Sequence, residues 1–381
     1  MITFNLKHSD LLELQSYNKL VTQLLSISDT TYFKVSNGEF KIIFKGRYSL
    51  FEYTISDIDY TQNDSYYFSI DYTKWQNALI KYNNCEIITI TLDKGLNISN
   101  GINADKINLA VKMYDSDSQD VDIIDNFIGK NKEAENKLLN LTDEVVNGLS
   151  VVSSILGYDQ NINSLGLSNN GIVYADRCTV LSYPINDKKN NIFELLKDDE
   201  NIFINSLWCK LFMQFEKTNK LVYLNDSYDR IFWSDNNCRL IMSSPECYIA
   251  LPTQEQFEEI KPSNNCNKFN TSILELKGGM EFFDGFHENN NWKPVKFSLS
   301  NNDLRLSIQN NVAELDKRIS VNSAVGNGQF TINSDVFIKL CHKLSDVNED
   351  LKIEVNFDDN SVGVYCTTDV CDFVISKINE E

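Results

Sequence analysis

The fold is decided by the stretch Val295-Lys-Phe-Ser-Leu-Ser-Asn-Asn-Asp-Leu-Arg-Leu-Ser-Ile308, because two partial copies of it lie upstream at a constant distance. Apolar residues alternate with polar ones on both sides of the polar turn 300–303, which predicts a β-hairpin. The copies are Phe33-Lys-Val-Ser-Asn-Gly-Glu-Phe-Lys-Ile42 and Leu165-Gly-Leu-Ser-Asn-Asn-Gly-Ile-Val-Tyr174. The turn serines of the three stretches, Ser36, Ser168 and Ser300, are 132 residues apart at each step.

Two further markers follow nearly the same period, and both are short strand patterns that lead into a helical pattern. The first marker occurs at Phe4-Asn-Leu6, Leu139-Asn-Leu141 and Phe269-Asn-Thr271. The second occurs at Tyr67-Phe-Ser-Ile-Asp71, Ile202-Phe-Ile-Asn205 and Phe330-Thr-Ile-Asn333, with Phe68, Phe203 and Phe330 as the corresponding residues. Three markers with one order and one period predict three structural repeats of about 130 residues.

The repeats predict three domains at 1–130, 131–258 and 259–381. Each repeat reads as strand, helix and strands, twice over, so the predicted fold class is α+β with two helices packed on antiparallel sheets. The segment Gln254–Asn267, with Pro262 and three asparagines, is typical of a linker. Gly278-Gly279 falls inside the predicted helix 271–284, where each glycine costs about 1 kcal/mol relative to alanine.

Composition describes a globular protein: 42% of the 381 residues are hydrophobic and 23% are charged. The sequence has no apolar run of 18 residues and no basic stretch ahead of an apolar one at the N-terminus, so we expect neither a membrane span nor a signal peptide and assign the chain to the cytosol. The formal charge of −19 argues against a protein that grips phosphates tightly. An acidic exterior can nevertheless coexist with a mildly basic inner surface in a protein that encloses DNA.

The sequence has poor signals for an enzyme or a metal site. It contains no phosphate-binding Gly-x-x-x-x-Gly-Lys motif, no Gly-x-Ser-x-Gly motif and no Cys-x-x-Cys motif, and its three histidines, His8, His287 and His342, lie in different predicted elements. The nine cysteines are scattered, and Cys366 and Cys371 fit reduced structural thiols. We therefore predict no catalytic residues, no metal and no cofactor.

Several stretches carry a resemblance to a known family. They are Arg239-Leu-Ile-Met-Ser-Ser-Pro-Glu-Cys-Tyr-Ile-Ala-Leu-Pro252, the hairpin at 295–308, and the last predicted strand Asp372-Phe-Val-Ile-Ser-Lys377. In order and spacing they resemble the bacterial DNA polymerase sliding clamp, the DNA polymerase III β-subunit. The resemblance covers essentially the whole chain, while residue identity is low.

The resemblance implies a three-repeat DNA-clamp fold that assembles into a ring. Two head-to-tail protomers, a homodimer lined by twelve helices, would encircle double-stranded DNA without reading its sequence, tether the replicative DNA polymerase and be opened by a clamp loader. Such a processivity factor does no chemistry. The Asn-, Ile-, Lys- and Asp-rich composition suggests a phage-encoded member. The alternative is a non-enzymatic ring or scaffold protein that shares the repeats without tethering DNA.

Two sets of site residues follow from the resemblance. The surface facing DNA would use lysines of the predicted helices, each of which is equally expected on an ordinary solvated helix face: Lys19, Lys74, Lys81, Lys210, Lys217, Lys277, Lys339 and Lys343. The pocket for an apolar partner peptide would use Ala175, Arg177, Val180, Leu251, Pro252, Phe373, Val374 and Ile375. Where the family has a small residue and His-Arg after the aspartate, this chain has Arg177-Cys178-Thr179 after Asp176, which argues for a different client motif.

Overall fold

A computed structural model of the chain describes residues 1–7, 9–14, 17, 30–45, 49–62, 64–82, 85–100, 106–115, 137–156, 164–187, 191–197, 200–215, 220–224, 230–235, 237–243, 251, 254–262, 265–287, 293–311, 313–358 and 361–378. The helices described with both bounds are α1 (Tyr72–Lys81), α2 (Asp143–Ser153), α3 (Ile192–Leu195), α4 (Ser206–Phe215), α5 (Gln254–Glu259), α6 (Ile273–Glu281) and α7 (Ser334–Val347). Residues 9–14 are helical as well. The remainder of the helix predicted from Ser9 to Leu25 lies outside the described residues, apart from Tyr17.

The described strands of the N-terminal half are β1 (Ile2–Lys7), β2 (Thr30–Ser36), β3 (Glu39–Lys45), β4 (Ser49–Ser56), β5 (Tyr66–Asp71), β6 (Ile87–Leu92), β7 (Leu96–Ser99), β8 (Lys106–Leu109), β9 (Lys112–Tyr114), β10 (Lys137–Asn140), β11 (Ser164–Ser168), β12 (Gly171–Ala175) and β13 (Thr179–Pro184). Those of the C-terminal half are β14 (Ile202–Asn205), β15 (Leu221–Leu224), β16 (Arg230–Asp235), β17 (Cys238–Ser243), β18 (Asn267–Ser272), β19 (Pro294–Ser300), β20 (Asp303–Gln309), β21 (Glu314–Ile319), β22 (Ser323–Val325), β23 (Gly328–Asn333), β24 (Lys352–Phe357), β25 (Gly363–Thr368) and β26 (Asp372–Ser376).

The chain divides into two compact units that each contain two sheets. Unit 1 comprises Met1–Leu139 and Thr218–Ser244, and unit 2 comprises Asn140–Lys217 and Pro245–Glu381. Unit 1 holds a four-stranded sheet, β1-β6-β7-β8, and a nine-stranded sheet, β10-β15-β16-β17-β4-β3-β2-β5-β9. Unit 2 holds a nine-stranded sheet, β14-β11-β12-β13-β26-β25-β24-β18-β22, and a four-stranded sheet, β21-β20-β19-β23. The sheets are antiparallel wherever a pairing is described, which confirms the predicted α+β class.

The three predicted hairpins are confirmed, and their turns are built alike. In each hairpin the marker serine is the last paired residue of its strand, and two residues form the loop; the closing pairs are Ser36 with Glu39, Ser168 with Gly171 and Ser300 with Asp303. Asn301 and Asn302 both have positive φ angles, 49° and 65°, as a two-residue hairpin loop requires, and asparagine tolerates this conformation better than most residues.

The second marker, the junction from strand to helix, is also confirmed in all three repeats. The strands β5, β14 and β23 run directly into α1, α4 and α7. A side chain at each boundary caps the helix, because Asp71, Asn205 and Asn333 accept hydrogen bonds from backbone N–H groups of the first turn at 2.9, 2.8 and 3.3 Å. Caps of this kind fix where a helix begins, so the repeat is encoded in its polar residues as well as its apolar ones.

The core of the repeats lies between these strands and helices. Phe33 stacks on Phe68 in unit 1 with ring centroids 4.9 Å apart, and Phe297 stacks on Phe330 in unit 2 at 4.7 Å. The marker chosen in the second repeat was wrong by one residue, since Phe203 is half-buried while its neighbours Ile202 and Ile204 are buried. One residue along a strand changes the face of the sheet, and an isolated Ile-Phe-Ile pattern does not specify which face is internal.

Four other details correct the predicted elements. The strand expected at 105–113 is two strands in different sheets, because β8 pairs with β7 and β9 pairs with β5. The short strands β7 and β22 were not predicted. The predicted linker contains α5, and α3 lies where no helix was expected. These elements have three to six residues, which is too few for a clear periodicity.

The helix with two adjacent glycines is formed, and the two positions differ. A Cβ atom on Gly279 would lie 2.2 Å from Cδ1 of Ile319, so close packing against β21 favours glycine there. A Cβ atom on Gly278 would meet nothing within 4 Å. Close packing therefore explains the glycine at position 279, and it does not explain the glycine at position 278.

Candidate peptide groove and helix surface

The most informative surface of unit 2 is the line where β13 meets β26. These strands pair antiparallel, with Val180 opposite Val374. The pairing continues outward from Val180 to Ala175 on β12 and from Val374 to Tyr365 on β25. Directly paired residues lie on the same face of a sheet, so these four form one apolar row across four strands, which we call the groove row.

The opposite face of the same strands packs on helices. Phe373, next to Val374 in sequence, lies 5.8 Å from the ring of Phe337 on α7, and α2 packs on β12 and β13. The groove row therefore lies on the face of the sheet that α2 and α7 do not cover. Alternation along each strand separates this outer face from the core.

The hairpin that brings Ala175 and Val180 together is fixed by Asp176. Its Oδ1 atom accepts hydrogen bonds from the backbone N–H groups of Cys178 and Thr179 at 2.7 and 2.6 Å. Its Oδ2 atom accepts from the hydroxyl of Tyr174 at 2.7 Å. This is an aspartate turn, in which a short carboxylate stands in for backbone partners, and it does not depend on the residues that follow Asp176. The side chains of Arg177 and Cys178 are exposed in this turn and are not needed to form the hairpin.

The groove row is covered by the chain itself. Phe257 of α5 packs with Tyr365 and Val374, and Val180 lies against the same cluster. The rings of Phe257 and Tyr365 are 6.2 Å apart. Phe257 is 4% exposed and Val374 is 9% exposed, so α5 shields this part of the groove row from solvent.

The segment ahead of α5 lies over the same outer face. Cδ1 of Leu251 occupies the space beside Gly166 on β11, where a Cβ atom would be only 1.9 Å away. Gly166 pairs with Val173, two residues before Ala175 on β12, which puts it on the outer face as well. Leu251 and Phe257 thus contact the outer sheet face at two places.

The structure brings together only part of the predicted pocket. Ala175, Val180 and Val374 belong to the groove row, and Leu251 lies over the same face. Arg177 is exposed in the hairpin turn. Phe373 and Ile375 are buried on the opposite, helix-packed face and do not line the groove. Pro252 lies outside the described residues.

Two groove residues, Phe257 and Tyr365, were not predicted. Phe257 is the single apolar residue in Gln254-Glu-Gln-Phe-Glu-Glu259, and one aromatic residue in a charged stretch is a signal that could have been used. Tyr365 carried no such signal. Its place depends on the pairing of β25 with β26, and the hydrophobic pattern alone does not show which strands become neighbours.

The predicted DNA-facing lysines are on the solvent side of their helices where the structure describes them. Lys74, Lys81, Lys210 and Lys339 are exposed, and Lys277 and Lys343 are half-exposed. Lys19 and Lys217 lie outside the described residues. Lys339 and Lys343, expected to act together on α7, each bind a carboxylate of their own helix: Asp335 at 2.7 Å and Asp346 at 3.2 Å. These ion pairs reduce the positive potential that the two lysines present.

Carboxylates on the helices balance the lysines. The helices α1, α2, α4, α6 and α7 carry six lysines and six acidic residues, the latter being Asp143, Glu144, Glu275, Glu281, Asp335 and Asp346. These five helices are together neutral in a chain whose formal charge is −19, and the helical residues 9–14 add two carboxylates, Asp10 and Glu13. These helices are therefore less acidic than the average for the chain, and in neither unit are they strongly basic.

Solved structures supply the comparison that decides the fold. The DNA polymerase III beta chain of Streptococcus pneumoniae matches with a TM-score of 0.73 at 14% identity, over 100% of both chains. The DNA polymerase sliding clamp of Pseudomonas aeruginosa, solved with a ligand, matches with 0.74 at 12% identity, and the beta subunit from Thermotoga maritima with 0.70 at 14%, each again over 100% of both chains. The chain has the sliding-clamp fold. No protein-family model and no curated protein matches the sequence.

Chemical groups that could act in a reaction are sparse in the described part of this clamp-fold chain. Its residues include no group of three or more possible metal ligands. Burial raises the pKa of the Cys371 thiol to about 12, with the hydroxyl of Thr368 acting in the opposite direction, and burial also raises the pKa of Cys341 and Cys366. These thiols stay protonated at neutral pH and are poor nucleophiles. No described helix has both the length and the hydropathy that crossing a bilayer requires.

Proposed function

We propose that this protein is a DNA sliding clamp: a ring that encircles duplex DNA and tethers a replicative DNA polymerase. The observation that carries the proposal is the full-length match to bacterial clamp structures, with TM-scores from 0.70 to 0.74 over the whole of each chain. A partial match would fit any α+β domain, whereas three repeats in the same order require the same architecture throughout. The proposed domains are 1–130, 131–258 and 259–381.

Open sheet edges support the ring. The two nine-stranded sheets each join strands that are far apart in sequence, at β4–β17 and at β13–β26. The two four-stranded sheets end at β8 and β21, which have a neighbour on one side only in the described part of the chain. We propose that β8 of one copy pairs with β21 of a second copy, head to tail, and that two such contacts close a homodimer. The mass in solution should then be twice the chain mass of 43.8 kDa.

Weak contacts to DNA fit the charge of the helices. A closed ring is held on DNA by its topology, so it needs no strong phosphate contacts, and a neutral inner surface permits sliding. In this proposal Lys74, Lys81, Lys210, Lys277, Lys339 and Lys343 face the DNA, together with Lys19 and Lys217. The groove row receives peptides of the polymerase and of the clamp loader. No catalytic step is proposed, and the expected location is the bacterial cytoplasm, or an infected cell if the protein is phage-encoded.

Topological retention tests this function without a loader. The protein is incubated with linear duplex DNA carrying biotin at both ends, streptavidin then blocks the ends, and retained protein is measured after a high-salt wash. A clamp should remain until a restriction enzyme cuts the DNA and should then dissociate. If the protein dissociates equally from cut and uncut DNA, the clamp proposal is wrong.

The lysine surface has its own test in the same assay. The double variant K74E/K210E should shorten retention at low salt, because like charges oppose the DNA backbone. K352E serves as the control, since Lys352 is an exposed lysine on a strand. If K352E shortens retention as much as the helix variant does, the assignment of the helix face to DNA is wrong.

A further inference from the structure

The groove row and its cover by Phe257 carry an inference about how partners bind. Three of the residues assigned to the partner pocket, Ala175, Val180 and Val374, lie in this row, and Val180 and Val374 pack in one cluster with Phe257. The place expected for a partner's apolar side chain is thus occupied by a side chain of the same molecule.

We propose that α5 is a built-in competitor for the groove: Phe257 fills the groove in the absence of a partner, and a partner binds by displacing it. The partner is a short peptide with a large apolar or aromatic side chain that takes the place of Phe257 beside Tyr365. This inference rests on the proposed function, because it concerns regulation of the same peptide groove.

The position of α5 distinguishes it from an ordinary part of the core. The core of this sheet lies on the opposite face, where Phe373 contacts Phe337 of α7. Phe257 contacts the outer face, and its neighbours Gln256, Glu259 and Ile260 are exposed. The sheet is therefore paired and packed without α5, and lifting Phe257 away uncovers a preformed row and leaves no hole in the core.

The composition of α5 indicates the chemistry of the partner. The helix contains one apolar residue and three glutamates in six residues, and Arg177 is exposed in the hairpin turn that ends at the groove row. Phe257 is the residue of α5 that contacts the groove row, so we expect the partner to present one large apolar side chain. The exposed Arg177 beside the row favours acidic residues next to that side chain.

The strength of the competition follows from the burial of one aromatic side chain. Full burial of a phenylalanine favours the covered form by a factor of about 10 to 100. A peptide that needs the open form then binds the wild-type chain more weakly by the same factor. With an effective concentration of about 1 mM for a tethered segment, the free segment should bind an uncovered groove at about 10 to 100 µM.

The test uses the chain's own segment as the probe. A fluorescein-labelled peptide of residues 251–261 is titrated with the full-length chain and followed by fluorescence anisotropy. F257A should bind the peptide at least about 10-fold more tightly than the wild-type chain. I260A, which removes an exposed apolar residue three positions further along, should behave like the wild type. A peptide with alanine in place of Phe257 should bind none of these proteins.

Two further measurements complete the test. V374D in the F257A background should abolish binding, which locates the peptide on the groove row. Should F257A fail to fold, hydrogen exchange in the wild-type chain replaces it, and saturating peptide should raise exchange at residues 254–259. Equal affinity for wild type and F257A, or unchanged exchange, would overturn the proposal.

The outcome is separable from the clamp function, because no DNA is present in the peptide titration. If the protein is retained on end-blocked DNA but the wild type and F257A bind the peptide equally well, the clamp function stands and the proposal that Phe257 occupies the groove (self-occupancy) is wrong. Tighter peptide binding by F257A without retention on DNA would exclude the clamp and leave self-occupancy standing.

Discussion

The two nine-stranded sheets contain corresponding strand junctions with opposite chemistry. In unit 1, β4 meets β17, and Glu52 pairs with Arg239. In unit 2, β13 meets β26, and Val180 pairs with Val374. The two junctions lie at corresponding positions in their sheets. Glu52 pairs with Ile43, which is four residues after the start of β3, and Val180 pairs with Ala175, which is four residues after the start of β12. One fold thus carries a charged junction and an apolar junction at the same place.

The residues around the two junctions also differ, being charged in unit 1 and apolar in unit 2. The Nζ atom of Lys41 lies 3.5 Å from Oε1 of Glu52, and Arg239 is exposed. The apolar junction is instead covered by Phe257. Because charged residues occupy this junction in unit 1, the fold does not require an apolar pair there. The apolar row of unit 2 is then best explained by what binds to it.

The largest expected effect comes from placing a charge in the apolar junction. V374D puts a carboxylate without a partner under Phe257, and we expect unit 2 to lose about 3 kcal/mol of unfolding free energy. V325D is the matched control, because Val325 lies on β22 in the same sheet and is 57% exposed; it should cost less than about 0.5 kcal/mol. Urea unfolding of both variants measures the difference. Similar losses would show that burial under α5 does not distinguish the two positions.

The second prediction concerns the inner face of the junctions. Behind the charged pair, Cys238 pairs with Tyr53, while behind the apolar pair Phe373 pairs with Leu181. Burial raises the pKa of Cys238 to about 12, with nearby carboxylates adding to the effect and a hydrogen bond with Tyr17 opposing it. The folded state therefore favours the neutral thiol, and its contribution is complete below the ordinary thiol pKa and lost as pH rises from about 9 to 12.

The measurement compares unfolding free energies at pH 7.5 and pH 10. Replacing the thiol in C238A should remove about 1.4 kcal/mol of the alkaline loss seen in the wild type. C178A, which removes an exposed thiol beside the apolar junction, is the control variant. If the unfolding free energy of C238A falls between pH 7.5 and pH 10 as much as that of the wild type, the Cys238 thiol ionises as easily in the folded chain as in the unfolded chain.

The sequence predicted the features that depend on local pattern. The hairpin serines and the strand-to-helix junctions were placed correctly, because alternation, asparagine-rich turns and capping side chains act within a few residues. The pairing of β13 with β26 joins residues nearly 200 positions apart and has no local signal. For the same reason Phe373, Val374 and Ile375 were predicted as one pocket edge, although only Val374 lies on the outer face. The helix α5 was missed because its residues are polar apart from Phe257.

A smaller effect is expected next to the groove row. The residue two positions before the turn serine is Lys34 in unit 1 and Gly166 in unit 2. The ammonium of Lys34 lies over the ring of Tyr67 at 4.8 Å, whereas Leu251 fills the space beside Gly166. In G166A the new methyl group would meet Leu251, and we expect a loss of about 1 kcal/mol.

A double-mutant cycle tests the cause. In the L251A background, G166A should cost nothing or stabilise the chain by about 0.5 kcal/mol, since alanine restricts the unfolded chain more than glycine does. If G166A costs the same in both backgrounds, Leu251 does not explain the glycine, and the segment ahead of α5 does not pack on the sheet as described.

The smallest effect is expected when the charged junction is made apolar. In E52V, unit 1 receives the valine that unit 2 has at the corresponding position. Glu52 is 3% exposed and its Oε2 atom has no hydrogen-bond partner among the described residues, so its removal relieves a desolvation cost. Lys41 keeps an acidic partner in E52V, because Glu39 lies 3.6 Å from its Nζ atom.

For E52V we expect the free energy of unfolding in urea to change by no more than about 1 kcal/mol, with E52Q as the isosteric control. E52V should also bind the 251–261 peptide no more tightly than the wild-type chain does, because one valine does not create a second row. A loss above about 3 kcal/mol would mean that the charged pair is needed to hold the junction together. The apolar junction would then be an alternative way of joining strands and no longer evidence for a binding site.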